Sequence, residues 1–193
     1  MKRIGKPGWT TIVLPLAAAG AFVTGNGCEK ASPAAKVAST NATKPALPEI
    51  DPVRGHLNHA QPKLPTIKVW LGSEELITEI ASTQVQIATG MMFRTNMPEN
   101  TAMIFLFAQP GPKNFYMRNC VVPLSAGYLE PDGTLAEIVK LQPGDEVGVQ
   151  SKSSNIQFVL EVPQGWFERH NIRTGAVVRT ERGSLPHTFL RGN

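Results

Sequence analysis

The strongest constraint in the chain lies at residues 156–162, where Ile156, Phe158, Leu160 and Val162 occupy every second position and Gln157, Val159 and Glu161 lie between them. A period of two belongs to an extended strand, because a helix would scatter those four apolar side chains around its circumference. The alternation puts Ile156, Phe158, Leu160 and Val162 on one face. Residues 66–71 repeat it with Ile67, Val69 and Leu71, and a further short strand is predicted at residues 76–81. Residues 102–107 are apolar without a break, as in a central strand covered on both faces. Pro131-Asp132-Gly133 separates strand segments at 128–130 and 135–141, which predicts a hairpin, and a last strand is expected at 176–180.

Two helices are predicted, both short. Thr83 and Gln86 have the spacing of a capping box and Gly90 offers a stop, so residues 84–89 read as one helix. Pro163 introduces the other, around residues 164–170. Many short strands with so little helix predict a mostly β (α+β) fold: a compact barrel-like or sandwich-like single domain over residues 64–180 with one or two short helices. Residues 181–193 read as a frayed tail.

The chain upstream has a different character. Lys2, Arg3 and Lys6 precede an apolar run at residues 9–23, and Thr24-Gly25-Asn26-Gly27 leads to Cys28. This is the layout of a secretory leader, residues 1–27, and predicts export to the cell envelope. The run falls short of the about 20 residues that cross a bilayer, so a transmembrane anchor is the weaker reading. Cys28 behind Gly27 resembles the bacterial lipoprotein signal, in which the cysteine is lipidated and becomes the new N-terminus. Gly25 departs from that signal, which usually has a larger aliphatic residue there, and cleavage without lipidation is the alternative. Residues 28–63 are rich in Ala, Pro, Ser and Thr and contain no aromatic residue, the composition of a flexible spacer. His56 and His59 then read as solvated linker histidines rather than a metal pair.

The formal charge of +4 is misleading. Three positive residues belong to the leader, and without it 16 basic residues face 15 acidic ones. A nearly neutral domain has no long-range basic field, so nucleic acid is not an expected partner.

Thr89-Gly90-Met91-Met92-Phe93-Arg94, Ala102-Met103-Ile104-Phe105 and Phe115-Tyr116-Met117-Arg118-Asn119-Cys120-Val121-Val122-Pro123-Leu124 occur in that order, followed by Leu160-Glu161-Val162 with Gly165, and Ile172 with Gly175. This series resembles the bacterial and archaeal family called domain of unknown function 192. The resemblance implies a small single domain, often secreted or lipid-anchored, and brings no settled activity. Tyr116 stands for the family's Trp, Cys120 for Thr, Ser125 for Asp and Ala102 for Gly. Were that Asp a catalytic or metal-binding carboxylate, Ser125 would leave this chain without it, which argues for binding or structure.

Candidate chemistry gathers around those segments. Arg94, Tyr116, Arg118, Asn119 and Glu161 are polar groups set among Met and Phe, the composition of a small-ligand pocket, and the arginines would suit a carboxylate or phosphate. The plainer reading pairs Arg94 with Glu161 and has Asn119 cap a turn. An enzyme at the Arg94/Asn119/Cys120 region would use Cys120 as nucleophile, with only His170 and His187 downstream as bases; an inert buried cysteine is the simpler account. Five of the six methionines, Met91, Met92, Met97, Met103 and Met117, fall close together beside Cys120 and would suit Cu(I), although core packing explains them as well. No cofactor, metal or catalytic set is therefore expected. The reading is a non-enzymatic module on the periplasmic or cell-surface side, held to a membrane by an N-terminal lipid and binding an unidentified small molecule or envelope protein. Cys28→Ser is expected to move the protein from the membrane to the soluble fraction; unchanged fractionation would refute the lipid anchor.

Overall fold

The computed structural model describes residues 50–190; the leader, Cys28, the tether up to residue 49 and residues 191–193 lie outside the described part. Strands β1 (Thr66–Leu71) and β2 (Glu74–Ala81) form an antiparallel hairpin. Helix α1 (Gln84–Thr89) follows, its first turn closed by the expected capping box: the Gln86 amide donates to Thr83 Oγ1 at 3.3 Å and the Thr83 amide to Gln86 Oε1 at 3.0 Å. It carries the chain over to β3 (Thr101–Gly111), which runs parallel to β2. A two-residue strand β4 (Asn114–Phe115) precedes the hairpin of β5 (Leu124–Leu129) and β6 (Leu135–Leu141). Then come β7 (Val149–Gln150), β8 (Ile156–Pro163), α2 (Trp166–Arg169), β9 (Val178–Thr180), β10 (Gly183–Ser184) and α3 (Leu185–Phe189).

Eight strands make one sheet in the order β10-β9-β1-β2-β3-β8-β5-β6, and β4 with β7 forms a separate ribbon. The large sheet curls until the start of β6 approaches β9, where the Leu135 amide donates to the Ala176 carbonyl at 2.8 Å and the Val178 amide to the Gly133 carbonyl at 3.0 Å. It does not close into a barrel. The fold is a single mostly-β, sandwich-like α+β domain with three short helices rather than two.

Strands β5 and β8 are buried on both faces. Phe158, Leu160 and Val162 of β8 join a core with Ile67, Val69, Ile104, Trp166, Phe167 and Leu185, beneath α2 and α3. Val159 enters a second core with Met91, Met92, Met103, Phe105 and Met117. Ile156 departs from the expected face: the β3–β8 register shifts between Leu106 and Gly111, and at that end Ile156 packs in the second core.

Both ends of the domain differ from the sequence expectation. The spacer was expected to reach residue 63, yet Leu57 and Gln61 are buried and bonded to α1: the Leu57 amide donates to Thr89 Oγ1 at 3.0 Å and Gln61 Nε2 to the Gly90 carbonyl at 2.8 Å. His56 is buried too, its Nδ1 2.8 Å from the Leu57 carbonyl, whereas His59 is exposed as expected. Scattered side-chain bonds, not an apolar period, fasten this segment, so hydropathy does not reveal it. The tail expected from residue 181 is packed as well. β10 pairs with β9, Leu185 is fully buried and Phe189 lies against Phe158 with ring centroids 6.3 Å apart. No described helix is long and apolar enough to cross a membrane.

Gly127 on β5 shows how tightly the first core is closed. A Cβ there would lie 2.7 Å from Leu135 Cδ1 and 2.9 Å from Phe167 Cζ, and both side chains are fully buried. Gly127→Ala is expected to lower stability by about 1–3 kcal/mol through overpacking, measured by urea denaturation; an unchanged midpoint would contradict this packing of α2 on β5.

Candidate functional site

Strand β8 has neighbours on both edges, and Glu161 lies opposite Met103 of β3 and Ala126 of β5. Alternation puts it on the face of the second core, where it is 4% exposed. No arginine or lysine is bonded to it, and its Oε2 has no hydrogen-bond partner among the described residues. Removal from water disfavours the carboxylate, and burial pushes the Glu161 carboxyl up to about 8. At neutral pH the group is therefore mostly a neutral acid.

Above this floor is a cavity of about 230 Å³. One wall is the end of α1 and the turn behind it, Ile87 to Met92; Phe105 and Phe107 of β3 supply another, and Phe115, Tyr116 and Cys120 a third. Lys113 stands at the side, its Nζ 4.7 Å from the centroid of the Phe107 ring and 3.2 Å from the Gly111 carbonyl. Partial burial lowers the pKa of that lysine. Phe115 packs edge-on against Phe105 and Phe107, at centroid distances of 4.9 and 6.4 Å. The walls are joined by backbone bonds: the Phe93 amide donates to the Asn119 carbonyl at 2.8 Å, and the Met117 amide to the Asp145 carbonyl at 2.6 Å. Phe93 and Asn119 both have left-handed backbones, with φ of 61° and 56°, where the two segments turn toward each other.

Of the five residues singled out in the sequence, Tyr116 and Glu161 line this cavity, and Cys120 joins them. Arg94 does not. It lines a neighbouring hollow of about 410 Å³ and grips Glu79 with two bonds of 2.6 and 2.8 Å. The expected pairing of Arg94 with Glu161 is thus replaced by Arg94 with Glu79. Burial works to raise Glu79, but the Arg94 bonds and the Leu64 amide outweigh it and hold the carboxyl below its ordinary value. Arg118 pairs with Glu146 on the surface. Asn119 is exposed and turns its amide toward Met92 Sδ at 4.0 Å, a marginal contact.

The remaining candidates are placed as follows. Cys120 is a buried thiol whose pKa is pushed up to about 12, first by burial and then by Glu161. His170 faces Glu74 and Glu99 and stacks on Trp166, and His187 faces the Arg182 carbonyl, so neither is bonded to Cys120. Ser125 is not among the cavity's lining residues: its Oγ accepts the Gly165 amide at 3.0 Å and anchors the start of α2. An Asp at that position would serve the same end, so its replacement by Ser says nothing about chemistry in the cavity. Among the described residues no three His, Cys, Asp or Glu side chains are grouped to hold a metal. Phe107, Lys113 and Phe115 were not foreseen. Phe115 lay inside a recognisable segment, but nothing in the sequence marked Lys113.

A crystal structure of a candidate transcription regulator from Sinorhizobium meliloti 1021 is similar: 25% identity, TM-score 0.59, covering 62% of this chain and 97% of the other. A protein of unknown function from Novosphingobium aromaticivorans DSM 12444 is 30% identical with a TM-score of 0.57, covering 70% of this chain and 94% of the other. No curated protein matches the chain. The family model for domain of unknown function 192, described as an uncharacterized ACR, matches residues 68–180. The chain belongs to the domain of unknown function 192 family.

Proposed function

We propose that this protein is a non-enzymatic binding module of the cell envelope, tethered through Cys28, that holds a small molecule in the cavity above Glu161. One observation carries the reading: the segments with the family signature converge on that cavity. Gly90, Met91 and Met92 come from the first, Phe105 from the second, Phe115, Tyr116 and Cys120 from the third, and Glu161 from the fourth. A mostly apolar hollow with a few polar groups is the usual construction of a small-ligand site. The volume of about 230 Å³ lies below the about 300–1,000 Å³ of drug-sized sites, and a cavity of about 150 Å³ already holds benzene. A ligand built on one ring fits. The non-enzymatic part of the reading is supported by the high pKa of Cys120 and by the separation of Arg94 from it.

Benzyl alcohol is a suitable probe of the cavity. With methyl-labelled methionine in the full chain, its addition is expected to shift the resonances of Met91 and Met92, which line the walls. Ala88→Phe, on the α1 wall, should fill the space and abolish the shifts with the fold intact. Unmoved methyl resonances in the original protein, or equal shifts in the filled variant, would overturn the site.

The acid at the floor also has a thermodynamic signature. Its pKa is raised from 4.5 to about 8, so the native state binds a proton that the unfolded chain has lost between those values. Its contribution to stability is complete below pH 4.5, declines by about 1.4 kcal/mol per pH unit across that window and levels off above pH 8. Glu161→Gln is expected to be more stable than the original protein at pH 8 and to lack this decline, measured by urea titration at several pH values. A variant of equal or lower stability at that pH would contradict an unpartnered buried acid.

A further inference from the structure

Resting on the binding site just proposed, we infer that its ligand is a small organic cation, an ammonium on an apolar body of about one ring. The ammonium would sit against the Glu161 carboxylate, and the body among Phe105, Phe107, Phe115 and Tyr116. Three observations point to this class. Glu161 is the single acidic group lining the cavity, and its buried Oε2 lacks a partner among the described residues. The nearby basic groups are engaged elsewhere, Arg94 with Glu79, Arg118 with Glu146 and Lys113 with the Gln109 and Gly111 carbonyls, so the charge complementary to Glu161 has to arrive from outside. The walls include four aromatic rings and two thioethers, which attract a cation through their π-faces and polarisable sulfur. Lys113 illustrates the affinity: its ammonium rests over Phe107, held by the Gln109 and Gly111 carbonyls.

A neutral ligand accepting a hydrogen bond from protonated Glu161 makes the opposite demand on pH. A cation requires the ionised acid, so its binding expels the resident proton and strengthens as pH rises toward 8. A neutral acceptor requires the proton and weakens over the same range. The other titratable groups facing Glu161 do not confuse the sign. Met103 and Ala126, its neighbours across β3 and β5, are apolar. Tyr128 on β5 and Cys120 on the roof both have pKa values raised first by burial, and they stay protonated through this range. Tyr116 and Lys113 also line the cavity, and Thr89 and Asn114, which do not titrate, are the other polar side chains there.

Calorimetric titration of the full chain with benzylamine and with benzyl alcohol, matched in shape, tests the inference. Benzylamine is expected to bind about tenfold more tightly than the alcohol near pH 8, with affinity rising from about pH 6 and then levelling. Glu161→Gln, with its fold checked by circular dichroism, should keep the alcohol and lose the preference for the amine. Equal binding of the two probes, amine affinity that falls with rising pH, or a preference that survives Glu161→Gln would overturn the cation and leave the cavity as a neutral-ligand site. If neither probe binds, the cavity itself fails as a site and the cation with it.

Discussion

Strand β8 is bonded to β3 along one edge and to β5 along the other, and its side chains enter two separate cores. That double burial fixes much of the remaining structure. Phe158, Leu160 and Val162 need a cover on one face, which α2 and α3 provide; Val159 and Glu161 need one on the other. The second cover contains little regular structure. It is assembled from α1, the turn through Met91 and Met92, the segment from Phe115 to Cys120, and the β4–β7 ribbon. Irregular chain cannot satisfy its backbone through one continuous ladder, so it is held by individual bonds such as Phe93 to Asn119 and Met117 to Asp145. A cover stitched together in this way over the sheet leaves a hollow between the stitches, and the hollow lies above Glu161 of β8.

The sheet's central part was legible in the sequence because each element there announces itself within a few residues. Alternation identified β1 and β8, the unbroken apolar run identified β3, and Thr83 with Gln86 fixed the start of α1 to the residue. Glu161 stood out for the same local reason, as a charge between Leu160 and Val162. What escaped depends on contacts between residues far apart in the chain. Leu57 and Gln61 sit in a proline-rich stretch and are fastened to α1 through bonds spanning 32 and 29 residues. The β4–β7 ribbon pairs two-residue strands that carry no period. Ile156 faces the unexpected core at the end of β8, where the regular pairing with β3 is interrupted. The site was half legible: polar residues among Met and Phe marked the right neighbourhood, but composition does not say which of them turn inward. Arg94 and Arg118 turned toward acids elsewhere.

Two acids of the sheet are drawn out of water, Glu79 partly and Glu161 almost completely, and the domain treats them differently. Glu79 of β2 accepts two bonds from Arg94 and one from the Leu64 amide. Its desolvation is offset, and the group fastens the Met91–Arg94 turn and the segment before β1 to the sheet. Breaking such a pair from one side would leave an uncompensated charge, costing about 3–5 kcal/mol in buried sites, which suits a structural clamp. Glu161 of β8 receives no such compensation, and its burial favours the protonated form. Ionising it in the folded chain is harder than in water, so the acid lowers the domain's stability as pH rises above its ordinary pKa. Groups that cost stability and lie at the base of a cavity are the ones whose partner is absent from the chain. The contrast between the two carboxylates, one satisfied from within and one unpartnered, is the physical argument behind the proposed recognition at Glu161 and assigns structural support to Arg94.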